Sequence, residues 1–144
     1  MEFFDRLITA ITETHPIHPM VVHFPIALTG AGLFFILLAL WKNKAFFEGA
    51  AFANIALSII STIVAGFTGL YDNQVNYVGD APNAGLKIVL AVALFLVTTA
   101  TTYARWKNPD LFETSKALYV SAYFVSFGLA LVLAFLGGVI LYGF

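Results

Sequence analysis

The chain has 144 residues and no cysteine. This absence excludes disulfide bonds, thiolate metal ligands, cysteine-held iron–sulfur clusters and covalently attached c-type haem. Any metal or haem site would therefore depend on histidine or carboxylate ligands.

Charged residues are also scarce, at 10% of the chain against 60% apolar residues. Soluble domains carry roughly 25% charged residues, so this chain could not cover the surface of a soluble fold and is expected to lie in a lipid bilayer. The net charge is −1 and no block of basic residues occurs, which gives no basis for binding nucleic acid. The first residues carry no basic leader and no cleavage pattern, so we expect no signal peptide.

Long apolar segments predict an all-α fold, a bundle of four transmembrane helices within one domain, 1–144. The spans are expected at about residues 20–41, 49–71, 86–104 and 117–143. The first of these gives about 33 Å of helix, enough to cross a bilayer. Before it, residues 2–13 place apolar side chains on one helical face, which predicts a short amphipathic helix in the membrane interface or against the bundle end.

Small and polar side chains recur at helical spacing on two of the spans. Such stripes let helices approach closely in a membrane, so we interpret them as packing surfaces, with the lining of a polar cavity as the alternative. The residues are Ala51, Asn54, Ser58, Ser61, Ala65 and Thr68 on the second span, and Ser126, Ala130, Ala134 and Gly138 on the fourth.

Lysine and arginine are distributed unevenly between the two sides of the bundle. Five flank the loops between spans 1 and 2 and between spans 3 and 4, and two (Arg6 and Lys87) lie on the opposite side. Because cytoplasmic loops are richer in basic residues, both termini are predicted to face outward, on the periplasmic side of a bacterial inner membrane.

All three histidines and three of the five prolines fall within residues 15–25. Pro25 leaves the carbonyl of Val21 without its helical partner, so a kink is predicted near His23. His18 lies 23 residues before Trp41, and Asp72 lies 23 residues after Gly49. Because the first two spans are antiparallel, His18 and Asp72 are expected at the same height.

This height comparison predicts that His15, His18, His23 and Asp72 gather at the outer end of one hairpin, and three interpretations remain open. In the first, His23 is a buried polar residue bonded to the Val21 carbonyl or to the second span, and His18 and Asp72 are helix-end caps. Alternatively, His15, His18, His23 and Asp72 bind a divalent metal such as zinc or copper. In the third interpretation His18 or His23 is an axial ligand of haem b, with His23 preferred and Thr68 supporting its second nitrogen. No catalytic residue is predicted.

His18 and His23 are about 140° apart on a straight helix, so they cannot ligate one iron from both faces. A haem would need a further ligand, a second protomer or an open axial position. The spans show no ionisable pair, which argues against a small transporter.

Three motifs resemble those of an uncharacterised family of small four-helix bacterial membrane proteins. From His18 the chain reads His-Pro-Met-Val-Val-His-Phe-Pro-Ile-Ala-Leu, the motif His-Pro-x-x-Val-His-Phe-Pro. Residues 68–72 read Thr-Gly-Leu-Tyr-Asp, and residues 137–143 read Gly-Gly-Val-Ile-Leu-Tyr-Gly. Some members are joined to cytochrome c or Rieske-type domains, which implies a link to electron transport. Many carry a further histidine at the start of the third span, where this chain has Gly-Leu-Lys at 85–87.

The sequence and this resemblance together suggest a non-catalytic membrane subunit or partner of an electron-transport assembly, with haem b or a divalent metal at the histidine cluster. Its expected partners are the lipid bilayer, other membrane subunits or a soluble cytochrome, and a second copy of itself. The alternative is a purely structural subunit that stabilises a larger complex without any cofactor.

Overall fold

The computed structural model describes residues 2–9 and 17–142, which contain helices and no strand. The helices are α1 (Glu2–Thr9), α2 (Ile17–Val21), α3 (His23–Lys42), α4 (Ala45–Tyr77), α5 (Ala84–Lys107), α6 (Leu111–Thr114) and α7 (Lys116–Tyr142). Four segments are long and apolar enough to cross a membrane: α2 with α3, then α4, α5 and α7. The all-α class with four spans is therefore confirmed. The interfacial position of α1 stays a prediction.

The four long helices form a ring. α3 and α5 each pack against both α4 and α7, and α2 packs against α4. α3 and α4 are joined by only two residues, so they are antiparallel neighbours. Asn43, the first of the two, takes a left-handed conformation with φ of 49°, and its N–H bonds to the carbonyl of Ala39. Asparagine tolerates this conformation better than most residues, which favours a tight helix end.

A kink was predicted near His23, and the helix is interrupted there for one residue, Val22, whose backbone keeps right-handed helical angles with φ of −63° and ψ of −19°. The Ile26 N–H reaches the Val22 carbonyl at 3.4 Å, a long hydrogen bond at the point where proline disrupts the ladder. One turn later, the Thr29 hydroxyl donates to the Pro25 carbonyl at 2.7 Å. The distortion is small, and α2 and α3 together form one membrane-spanning segment that also packs against α4.

α4 is longer than the apolar run that predicted it. Polar residues 72–77, expected in a loop, continue the helix to Tyr77, and α4 reaches about 50 Å, well beyond the thickness of the hydrocarbon core. The helix ends at Tyr77, and the next residue, Val78, takes a left-handed conformation with φ of 52°. The Gly79 N–H then bonds back to the Asn73 carbonyl at 2.9 Å. The extension carries Asp72 on a rigid helix beside α2.

Side-chain packing differs between the two ends of the bundle. At one end, which we call the packed end, apolar residues of α3, α4, α6 and α7 form a continuous core. They are Ile36, Ala39, Ala51, Ile55, Phe112, Tyr119 and Tyr123. The opposite end, where α2 meets α4, is called the cavity end because the helices there enclose a space.

Candidate functional site: an apolar cavity beside His18

The cavity has a volume of about 380 Å³ and is bounded by α2, α3, α4, α5 and α7. This volume lies within the range of roughly 300–1,000 Å³ that is usual for ligand pockets. Small residues form much of its wall, and a few polar residues join them at one side. The small residues are Ala65, Gly66, Gly69, Ala81, Ala84, Ala91, Ala130, Ala134, Gly137 and Gly138; the larger polar ones are His18, His23, Asp72, Asn73, Tyr77 and Lys87.

The space exists because several residues of the wall are glycines, which have no side chain. A Cβ atom added at Gly66, Gly137 or Gly138 would meet nothing within 4 Å. The small-residue stripes therefore serve two purposes. Near the packed end Ala51 and Ser58 are fully buried between helices, as the packing interpretation predicts. Further along, the stripes line the cavity.

Asp72 fixes the start of α2. Its carboxylate is buried, and Oδ2 accepts a hydrogen bond from the backbone N–H of His18 at 3.0 Å. His18 is the second residue of α2, so this N–H belongs to the first turn and lacks a partner within its own helix. Asp72 thus caps α2 from a neighbouring helix, where a negative charge is also favoured by the helix dipole. The predicted equal height of His18 and Asp72 is confirmed.

The His18 imidazole lies against α4 at Gly69. A Cβ atom at that position would be only 2.8 Å from Cε1 of His18, so the ring occupies the place of a side chain. The Nδ1 atom lies 3.3 Å from the Thr68 hydroxyl. Gly69 and Thr68 together hold the half-buried ring at the cavity wall.

The Thr68 hydroxyl contacts the backbone of its own helix as well as the His18 ring. The Thr68 Oγ1 atom lies 3.1 Å from the carbonyl oxygens of both Val64 and Ala65, which can only accept hydrogen bonds. A hydroxyl proton directed to α4 would leave Oγ1 to accept from Nδ1–H of His18, whereas a proton directed to the ring would make Nδ1 the acceptor. The carbonyl group of Ala65 is a further hydrogen-bond partner of the ring. A neutral imidazole ligates a metal through the ring nitrogen that carries no proton.

Thr68 was expected to support His23, and this expectation is wrong because its hydroxyl pairs with His18. His18 lies on α2 and His23 on α3, and it is the His18 ring that reaches the Thr68 hydroxyl. His23 is exposed, at the edge of the cavity. His15 lies outside the described residues.

A family model described as "Predicted membrane protein (DUF2231)" matches residues 14–144. The chain belongs to the DUF2231 family. The resemblance carried by the three motifs is thereby confirmed, and this DUF2231 chain is a multi-pass membrane protein. No curated protein and no solved structure matches it significantly.

The motif residues of this DUF2231 chain do not assemble as a metal cluster in the part that the structure describes. Within residues 2–9 and 17–142, no three histidine or acidic side chains come close enough to hold one ion. One Asp72 oxygen already accepts the His18 N–H, and His23 is exposed at the edge of the cavity. The site therefore offers a half-buried imidazole, His18, and an exposed one, His23, beside an apolar space.

A second polar cluster, which the sequence did not reveal, lies at the packed end of this family member. Arg105 binds the buried carboxylate of Glu48 through two hydrogen bonds of 2.6 and 2.8 Å. The Tyr119 hydroxyl donates to Glu48 at 3.0 Å and lies 2.9 Å from the Tyr123 hydroxyl. The expectation that the spans hold no ionisable pair is therefore wrong. Starting the second span at Gly49 left Glu48 in a loop, whereas α4 begins at Ala45.

Proposed function

We propose that this chain is a non-catalytic subunit of a membrane electron-transport assembly and that it binds haem b in the cavity, with His18 as the axial ligand. One observation carries the proposal. The His18 ring lies half-buried at the wall of an apolar cavity, with its Nδ1 atom 3.3 Å from the Thr68 hydroxyl.

The residues present fit such a group in three respects. His18 supplies an imidazole at the cavity wall, and neutral imidazole is the side chain that most often ligates a metal. The wall is predominantly small and apolar, which suits a flat hydrophobic ring. The ring of His18 is fixed by Thr68 and Gly69, and the Asp72 carboxylate fixes the helix that carries it. Residues that contact a metal ligand in this way fix its orientation and affect its affinity for the metal.

Haem b would supply one-electron transfer, with iron held by a single histidine of this chain. The residues of the chain would hold the ligand, and Thr68 and Gly69 would orient His18 toward it. A second axial ligand would come from another subunit or a second copy, or the position would stay open. His23 is exposed at the cavity edge and is not needed for the first ligand.

The basic residues support an orientation with the cavity end outward in a bacterial inner membrane. Lysine and arginine concentrate at the packed end, where Lys42, Lys44, Arg105, Lys107 and Lys116 lie. Exposed Trp41 and Trp106 occur there beside Lys42 and Lys107, a pairing typical of a membrane interface. The cavity end would then face the periplasm, where a soluble cytochrome can approach.

Purification of the protein from its native membrane tests this proposal. A reduced visible spectrum should show a Soret band and a b-type α band, and mass spectrometry should find electron-transport subunits in the same fraction. A fraction with partner subunits and no haem absorption would contradict haem binding and would favour the structural subunit. A fraction with neither haem absorption nor partner subunits would contradict both haem binding and membership of a larger assembly.

A further inference from the structure

We propose that Lys87 binds a carboxylate of the cavity ligand, so that the ligand is an amphiphile with an acid group rather than a neutral apolar molecule. This inference rests on the proposed function and names the group that would orient the haem. It is carried by the position of Lys87, by the helix end on which it lies and by the absence of a competing charge.

Lys87 lies on the cavity wall and is half-buried. Among residues 2–9 and 17–142 its ammonium group has no ion pair and no side-chain hydrogen bond; the ion pairs there involve Arg6, Arg105 and Lys116. A partly buried ammonium group without a counter-ion loses hydration and gains no compensating charge. An anion delivered by the ligand would provide that charge.

The helix end adds to this positive character. Lys87 is the fourth residue of α5 (Ala84–Lys107), so its charge lies in the first turn. A helix N-terminus carries a partial positive charge and favours anions, and no acidic residue lies in this first turn. The ammonium group and the helix end therefore favour the same kind of ligand group.

Asp72 does not neutralise Lys87. Both residues line the cavity, but no atoms of theirs lie within ion-pair distance, and Oδ2 of Asp72 accepts the His18 N–H. The wall thus presents a metal-binding imidazole and a separate cation around an apolar space. Haem b matches this pattern because its ring is apolar and its propionate groups are carboxylates.

Two probes that differ only in their carboxylates test the inference. The wild-type protein in lipid nanodiscs is titrated with haemin and with haemin dimethyl ester, and binding is followed by the Soret band. We expect haemin to bind about tenfold more tightly than the ester, the strength of one charge-assisted hydrogen bond. Lys87→Gln should remove this preference and leave binding of the ester unchanged, whereas Lys87→Arg should keep the preference.

Lys44→Gln provides the matched control, since it removes the same charge at the packed end and should keep the wild-type preference. Comparing the ratio of the two affinities within each variant cancels any general loss of folding. Equal affinities for both probes in the wild type, or an unchanged preference in Lys87→Gln, would overturn the carboxylate contact alone. Binding of neither probe by the wild type would overturn the proposed haem function, and the Lys87 contact with it.

Discussion

A Cβ atom on Gly69 would lie 2.8 Å from Cε1 of His18, so the imidazole fits against α4 only because residue 69 has no side chain. Such a contact would be closer than real Cβ atoms make, so any side chain at residue 69 would have to displace the ring. The same helix positions Thr68 against Nδ1 of the ring and Asp72 against the His18 backbone. Three residues within one and a half turns of α4 therefore determine where His18 lies.

The first prediction concerns this glycine. Gly69→Ala should displace the His18 ring and break its contact with Thr68, and we expect haem affinity to fall at least about tenfold, the usual cost of losing outer support for a metal ligand. Gly49→Ala is the matched control on the same helix, because a Cβ atom there meets nothing within 4 Å and Gly49 does not line the cavity. Haem titration of both variants gives the comparison. Equal affinities of the two variants for haem would show that Gly69 does not position His18.

The second prediction concerns the space itself. Gly138→Leu should fill part of the cavity and block haem binding without unfolding the bundle, because an added Cβ atom has open space around it. Gly128→Leu introduces the same change on the same helix, also into open space but away from the cavity wall, and should bind haem normally. Circular dichroism should show equal helix content for the two. Normal haem binding by Gly138→Leu would place the ligand elsewhere.

The third prediction concerns the packed end. Glu48→Ala should destabilise the protein by about 3 kcal/mol or more, because it leaves the Arg105 guanidinium and the Tyr119 hydroxyl without their buried partner. Glu113→Ala removes a carboxylate from an exposed pair with Lys116, whose separation is 3.8 Å, and should cost less than about 1 kcal/mol. Unfolding in detergent micelles measures both losses. Similar stabilities for the two variants would show that the Glu48 network is not structural.

Much of the fold could be predicted from the apolar runs, because a chain in lipid has few alternatives to helices that satisfy their own backbone. The pairing of His18 with Asp72 was also predictable, since a short α3–α4 connection fixes the relative height of two antiparallel helices. The partner of Thr68 was not, because counting residues along a helix gives the level of the His18 backbone and not the position that its ring takes.

The cavity could not be predicted for a different reason. Stripes such as Ser126, Ala130 and Ala134 are equally compatible with close helix contact and with a space, and the separation of the helices decides between them. That separation depends on the whole bundle. The ion pair of Glu48 and Arg105 was missed because hydropathy locates the apolar part of a helix and not its first and last turns.

The fourth prediction concerns orientation. Because the chain lacks cysteine, single cysteines can be introduced at two exposed loop prolines, Pro82 at the cavity end and Pro109 at the packed end. In intact cells an impermeant thiol reagent should label Pro82→Cys and should leave Pro109→Cys unlabelled until the membrane is opened. Labelling of Pro109→Cys alone would place the cavity end in the cytoplasm.

The central claim is that His18, and not His23, is the residue of this chain that binds haem. The direct measurement is the dithionite-reduced spectrum of wild type, His18→Ala and His23→Ala, each purified from haem-replete membranes at equal protein concentration. We predict Soret and α bands of b type in the wild type and in His23→Ala, and their loss in His18→Ala with helix content unchanged. Bands that survive in His18→Ala, or that are absent from the wild type, would contradict the account.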